Sequence, residues 1–326
     1  MIETHQLNHV FGTTPCLHDL NLHVLEGSVL GFLGPNGAGK TTTIRVLTGL
    51  LRPTSGYATI GGFRVDSQLD QVRQMIGFLP EEAPAFGEMR LAAFLRYIAG
   101  LKNIPGKKIK SEVERVLELV DLLKDQQRLV GNISKGMRRR LGIAQALLGN
   151  PKVLILDEPT DGLDPTQIAT TRDLIKSLKG NTTVFFSTHI LPNVVQTCSH
   201  VAILARGKML FQGSMEEVEK QNPPKLVWRV QRSNEPRNPL KSFFESKQLN
   251  SLHYGESPQY WEAELGGGLP SAQDQNGLLR GMLDSGLLVR EVFLQQPSLE
   301  DIFLSAVSLS EGTEEVLADQ KARHRK

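Results

Sequence analysis

The chain has little of several things, and each shortage narrows what it can be. Its two cysteines, Cys16 and Cys198, show no metal-type spacing and read as reduced thiols of a cytosolic protein. No apolar run approaches the roughly 18–20 residues of a membrane-spanning helix. The most apolar stretches, KVLILDE and TTVFFSTHI, have strand length and polar borders, so no direct membrane span is expected and any membrane role must come through a partner. Nothing at the N-terminus resembles a charged segment followed by an apolar export signal. The formal net charge is only +2 over 326 residues, too little for a protein that wraps polyanions non-specifically, so no nucleic-acid partner is expected. Internal repeats and low-complexity tracts are absent.

What is present divides near Gly213. Over residues 1–213, strand-length apolar runs (VLGFLG, MIGFLP, KVLILDE, TTVFFST, HVAILARG) alternate with helix-like segments at 41–51, 88–101, 111–123, 135–148 and 165–179. Runs that are continuously apolar, rather than alternating, predict strands buried on both faces in a largely parallel sheet covered by helices. The segment LNHVFGTTPCLHDLNLHVLEGS instead reads as hairpin strands, which predicts an antiparallel β layer beside that sheet. A Met-Glu-Glu helix and the Pro-bearing linker QNPPK occupy 214–224. Residues 225–310 then read as strand, helix, strand pair, helix, strand, a small α+β domain of ferredoxin-like order. Its Trp228 and Trp261 are assigned to its core. Residues 298–308 read as a closing helix with Ser298 and Asp301 as a capping box, and 311–326 as a charged tail.

The chemistry starts at GPNGAGKT, comprising Gly34, Pro35, Asn36, Gly37, Ala38, Gly39, Lys40 and Thr41, with Thr42 following. The pattern G-x-x-x-x-G-K-[ST] sits between an apolar strand and a helix, the context that makes it a phosphate-binding loop. Its glycines let backbone N–H groups curl around phosphates, Lys40 meets the β- and γ-phosphates, and the Thr41 hydroxyl is a ligand for Mg²⁺. A second apolar strand ends in VLILDEP, where Asp157 is placed to hold Mg²⁺ through water and Glu158 to act as base for an attacking water. Together these predict an α/β P-loop NTPase that hydrolyses its nucleotide.

One stretch resists this simple reading. In NISKGMRRRLG, residues 132–142, three arginines follow the start of a helix, the end at which cations are mildly unfavourable. A solvated face, a nucleic-acid patch and an anion site are all compatible with Arg138, Arg139 and Arg140. The order of motifs resolves the neighbourhood. A phosphate loop, a Ser-x-Gly turn, a strand ending Asp-Glu-Pro and the STH of FFSTHI, in that order, resemble the ATP-binding subunit of an ABC transporter over residues 1–213. The resemblance implies a dimer in which each of two ATP molecules lies between one chain's phosphate loop and the signature turn of a second copy. It assigns Ser134, Lys135 and Gly136 to that signature, where Lys135 and Met137 depart from the LSGGQ pattern. It assigns Phe11 to adenine stacking, a buried strand position being the alternative. By the same resemblance His189 senses the γ-phosphate, Asp164 belongs to the loop crossing to the partner, and Glu81 stands where the family has a metal-contacting glutamine. The arginines are expected to divide between the anionic neighbourhood and a solvated or partner-facing side.

PSLEDIF, IGFLPEE and the Ser-Lys-Gly turn further resemble the ABC-2 type exporter branch. That implies a separate integral-membrane permease subunit, a peripheral position on the inner face of the cell membrane, and ATP with Mg²⁺. Phe86, Leu91, Phe94 and Tyr97 form an apolar set assigned partly to the core and partly to a groove for the permease. The rival readings are an ABC-type ATPase acting on ribosomes or DNA, disfavoured by the single cassette and by the short span from Lys40 to Ser134, and an importer subunit. The sequence contains nothing that identifies a cargo. If Ser134 serves a second copy's nucleotide, Ser134→Arg leaves ATP binding by the monomer largely intact and abolishes ATP-dependent dimerisation. Equilibrium binding and light scattering read the two effects separately, and loss of binding by the monomer would contradict the assignment.

Overall fold

The structure is a computed structural model that describes residues 1–82, 86–221, 225–232, 238–247, 252–257, 259–265, 271–295 and 299. Except for Leu299, the closing helix of 298–308 with its Ser298 cap lies outside the described residues, as do the tail 311–326 and linker positions 222–224. In chain order the elements begin with strands β1 (Ile2–Phe11), β2 (Thr14–Val24) and β3 (Val29–Leu33), then helix α1 (Lys40–Leu47), β4 (Ser55–Ile60), β5 (Phe63–Arg64), α2 (Leu69–Met75) and β6 (Ile76–Leu79). There follow α3 (Leu91–Leu101), α4 (Gly106–Leu119), α5 (Lys135–Leu147), β7 (Val153–Asp157), α6 (Pro165–Ser177), β8 (Thr183–Thr188), α7 (Leu191–Thr197), β9 (His200–Ala205) and β10 (Lys208–Ser214). The chain continues through α8 (Met215–Gln221), β11 (Lys225–Gln231), α9 (Pro239–Ser246), β12 (Leu252–Glu256), β13 (Tyr260–Leu265), α10 (Ala272–Asp284) and β14 (Val289–Gln295). It divides into compact units over Met1–Met215 and Glu216–Ser308.

In the first unit a six-stranded sheet has the order β10-β9-β3-β8-β7-β6. All neighbours pair parallel except β9 with β10, which is antiparallel. Every residue of β3, β7 and β8 is buried, as parallel strands covered on both faces require. Successive side chains then point into different cores. Leu154, Leu156, Val184 and Phe186 join α3, α4 and α5, whereas Val153, Ile155 and Phe185 join the antiparallel β layer. That layer has the order β2-β1-β4-β5, and β1 alternates in burial because only one of its faces is covered. Parallel strands bring their carboxyl ends to one edge, the edge at which open α/β sheets bind ligands. The phosphate loop after β3, Glu81 after β6, Asp157 at the end of β7 and His189 after β8 all lie there.

Several boundaries differ from the sequence expectation. Helix α1 stops at Leu47 rather than 51, because Gly49 takes a left-handed φ of 69°. Helix α4 starts at Gly106, just after Pro105, rather than at 111. Helices α2 and α7, of seven residues each, were not expected at all, since two turns give too little periodicity to register.

In the second unit the sheet order is β12-β13-β11-β14, with every pairing antiparallel. Strands and helices follow one another as β-α-β-β-α-β, the split arrangement in which each crossover leaves a strand's width between its ends. Trp228 and Trp261 are buried with Leu240 and Phe244 in its core, and neither indole N–H has an acceptor among the described residues.

Helix α5 lies close on β6: a Cβ added at Gly77 would collide with the Ala146 carbonyl. Backbone cannot yield as a side-chain tip can, so Gly77→Ala must push the helix from the sheet. The expected cost is about 1–3 kcal/mol in urea unfolding followed by circular dichroism, and an unchanged midpoint would show that the contact is slack.

Candidate functional site

A cleft of about 410 Å³ opens at the carboxyl edge of the parallel sheet, lined by Gly37, Gly39, Lys40, Thr41, Glu81 and Glu158, together with Cys16, Asn36, Thr42, Asp161 and His189. Gly39, at the start of α1, has a φ of 106° and Gly37 one of 80°, conformations that a Cβ would oppose. These turns set the loop in place, and the first turn of α1 carries no acidic side chain. The unpaired N–H groups of that turn are therefore open to an anion. Lys40 is buried and folds back on its own loop, donating to the Gly34 carbonyl at 2.8 Å and to that of Pro35 at 3.2 Å.

Glu158 is the centre of the charge arrangement. Its side chain is 11% exposed, with Oε1 3.6 Å from Lys40 Nζ and 3.1 Å from His189 Nδ1. The second distance calls for a proton on Nδ1. Both nitrogen donors thus gather on one oxygen, while Oε2 is buried with no hydrogen-bond partner among the described residues. The backbone at Glu158 is left-handed, with a φ of 47°. That conformation is uncommon for a side chain of this size and marks sites where the surroundings impose it. Asp157, next to it, is buried and does not line the cleft. Its Oδ1 accepts from Ser187 Oγ at 2.5 Å, and the same Oγ accepts from the Glu158 N–H at 3.0 Å. The register of β7 with β8 puts Ser187 opposite Asp157, so one hydroxyl fixes the pair.

Among the remaining sequence-derived residues, Gly34, Pro35 and Ala38 shape the loop behind the cleft. Phe11, at the end of β1, is 47% exposed with its ring edge-on to His9 at 4.4 Å; the buried-strand alternative does not hold, and Phe11 does not line the cleft. Ser134 caps α5, its Oγ accepting from the Met137 N–H at 3.2 Å. Asp164 caps α6 in the same way through the Gln167 N–H at 2.9 Å. Gly136 is buried against Gln167. Lys135 reaches Asp161, with Nζ 3.6 Å from Oδ2. Ser134, Lys135 and Gly136 do not line their own chain's cleft, although Lys135 reaches it indirectly through Asp161, which does. Phe86 is 54% and Tyr97 48% exposed, with Leu91 and Phe94 buried beneath them, so the apolar set divides between core and surface.

The arginines correct the sequence reading. Arg138 is exposed, but Arg140 donates to the Val120 and Asp121 carbonyls, and Arg139 is buried on backbone carbonyls at the ends of β6 and β7. Burial pulls the Arg139 pKa down, opposed by Asp157, Asp161, Glu158 and Glu81. Arg139 faces inward because it shares the helix face of Gly136 and Ile143, three residues before it and four after. Sequence reasoning also missed Cys16, Asp161 and Ser187. Ser187 stands in the STH motif and could have been found there; nothing in the sequence singled out Cys16, whose Sγ lies 3.2 Å from Thr42 Oγ1.

Comparison with known proteins places this geometry among relatives. A family model described as ABC transporter matches residues 17–161. The bacitracin transport ATP-binding protein BcrA of Bacillus licheniformis is 36% identical over 94% of this chain and 97% of its own length. The ABC transporter ATP-binding protein YxlF of Bacillus subtilis is 34% identical over 89% of this chain and 93% of its own. A solved structure described as the ATP-binding subunit of an ABC transporter superposes with a TM-score of 0.63 at 27% identity, covering 68% of this chain and 92% of its own. The structure of cbiO1 from Clostridium perfringens, part of the ABC transporter complex cbiONQ, gives 0.61 at 27% identity over 67% and 89%.

The two thiols are expected to behave differently. Burial pushes the Cys198 thiol far above its ordinary range, while Cys16 is half-buried at the cleft wall. Iodoacetamide should modify Cys16 and spare Cys198 in the folded protein, and ATP should slow the reaction; mass spectrometry of tryptic peptides checks both. Modification of Cys198 first, or no protection by ATP, would contradict the assigned cleft.

Proposed function

We propose, given that the chain belongs to the family of ABC transporter ATP-binding proteins and is an ATPase subunit of that kind, that two copies of it close on ATP to drive export through a separate integral-membrane permease. The observation that carries the chemistry is the asymmetry of Glu158, one oxygen held by Lys40 and His189 and the other buried without a partner. A carboxylate so held in orientation at the wall of the cleft suits acceptance of a proton from an attacking water. Lys40 and His189 line the cleft in which negative charge would gather on a transferring phosphoryl group, and Lys40 would exchange its bonds to the Gly34 and Pro35 carbonyls for phosphate oxygens.

The residues also fit Mg²⁺. The Thr41 hydroxyl and the Glu81 carboxylate at the cleft wall are oxygen donors of the kind this hard cation prefers, and Asp157, set behind the wall, would act on it through water. The ion would neutralise charge between the β- and γ-phosphates. Ser187 fixes the orientation of Asp157 through its hydroxyl. Ser134, Lys135 and Gly136 do not line their own cleft, which suits service to the nucleotide of a second copy, and Asp164 in the neighbouring loop suits the crossing between copies.

Export, and a permease on a separate chain, are supported by similarity to a bacitracin transport ATP-binding protein along almost the whole chain, and by the absence, among the described residues, of a helix able to cross a membrane. The protein then works peripherally on the inner face of the cell membrane, with Phe86 and Tyr97 on the surface offered to the permease. Bacitracin, the cargo named for that relative, is the first substrate to assay.

Two measurements test the reading. Glu158→Gln should lower steady-state ATP hydrolysis by on the order of 100-fold or more while ATP still binds; turnover at the wild-type rate would remove Glu158 from the role of base. The tagged chain, solubilised in mild detergent, should bring down a protein with several membrane spans. Recovery of ribosomes or DNA without such a protein would overturn the transport reading.

A further inference from the structure

Arg139 lies in the second turn of α5, on the face that packs against the sheet, and its side chain is buried at 7% exposure. A guanidinium has five N–H donors in a rigid fork, and here each has its own acceptor. Nε donates to the Pro159 carbonyl at 3.3 Å. One terminal nitrogen donates to the carbonyls of Pro80 at 3.1 Å and Glu81 at 2.6 Å, and the other to those of Asp157 and Glu158. All five acceptors are backbone and none is a carboxylate. The fork therefore leaves the Glu81, Asp157 and Glu158 side chains free while it fixes the backbone that carries them. The left-handed residue Glu158 sits in the middle of the three consecutive carbonyls that converge on the fork.

We infer that Arg139 is a positioning residue that locks the segment bearing Glu81 to the segment bearing Asp157 and Glu158, and ties both to the helix whose N-terminus Ser134 caps. The inference rests on the reading of these carboxylates proposed above. Two parallel strands end side by side here, and their last carbonyls have no neighbour beyond the sheet edge. An apolar residue at 139 would leave those carbonyls buried and unpaired, and a lysine could reach only some of them with three donors on a flexible stem. The arrangement also gives α5 a rigid handle on its own chain's cleft. A displacement of the Ser134 end of α5, as on meeting the nucleotide of a second copy, moves the anchor of both carboxylate-bearing segments together.

The test compares wild type, Arg139→Lys and Arg139→Gln by amide hydrogen exchange without nucleotide and by steady-state ATP hydrolysis. Exchange should quicken in both variants at residues 79–82 and 157–161 together, more in Gln than in Lys, with α1 unchanged. The kcat should fall about tenfold or more in Gln and less in Lys, while KM for ATP stays within about twofold, because Arg139 touches no part of the phosphate loop. Loosening of one segment alone, a kcat unchanged despite loosening of both, or a lysine variant no better than glutamine would each overturn the inference. If the glutamine variant does not fold, the lysine variant decides, and its own global unfolding would show Arg139 to be a fold determinant instead. Absence of hydrolysis in the wild type would sink the proposed function, leaving the exchange comparison to judge the lock.

Discussion

Two adjacent carboxylates at the end of a strand buried on both faces are the constraint to which the surrounding structure answers. An ionised group removed from water is costly unless charge or hydrogen bonds offset it. The fold solves this for the two residues in different ways. Asp157 is satisfied by a neutral hydroxyl from the adjacent strand, Ser187, and stays tucked behind the cleft. Glu158 is held by Lys40 and His189 on one oxygen and lines the cleft. The parallel arrangement makes both solutions local, since Ser187, His189 and the phosphate loop all emerge at the same edge as β7.

Much of this was legible in the sequence, because the motifs are local. A glycine-rich turn between a strand and a helix fixes its own geometry, and a continuously apolar run ending in two acids announces both a buried strand and a site. The β-α-β-β-α-β order of the second unit was legible for a similar reason, each element being long enough to show its period. What was not legible came from contacts between segments far apart in sequence. Arg139 looked like part of a basic run because its acceptors, the carbonyls of residues 80, 81 and 157–159, carry no sequence signal. A clue was available: counted at helical spacing, Arg139 falls on the apolar face with Gly136 and Ile143, where a solvated arginine does not belong. Cys16 was silent because its position at the cleft wall depends on the antiparallel layer meeting the phosphate loop.

Helix α5 has unlike ends. Its N-terminus presents Ser134 with no acidic side chain in the first turn, an end suited to an anion. At the other end Lys102 donates to the Ala146 and Leu148 carbonyls, supplying partners where a helix leaves acceptors unpaired. Burial lowers the Lys102 pKa to about 8. Between the two ends, Gly77 lets the helix press on β6 and Arg139 holds it to the strand ends. The Ser134–Gly136 turn is thereby mounted on a helix held to the sheet at several points.

The left-handed backbone at Glu158 bears on how this protein tolerates substitution. Glycine or asparagine would adopt that φ more readily than glutamate and would relieve local backbone energy of about 1–3 kcal/mol at most. Against that gain stand the contacts of its carboxylate with Lys40 and His189, which either substitution would remove. Position 158 is therefore one at which the backbone and the side chain ask for different residues, and the side chain's partners outweigh the turn.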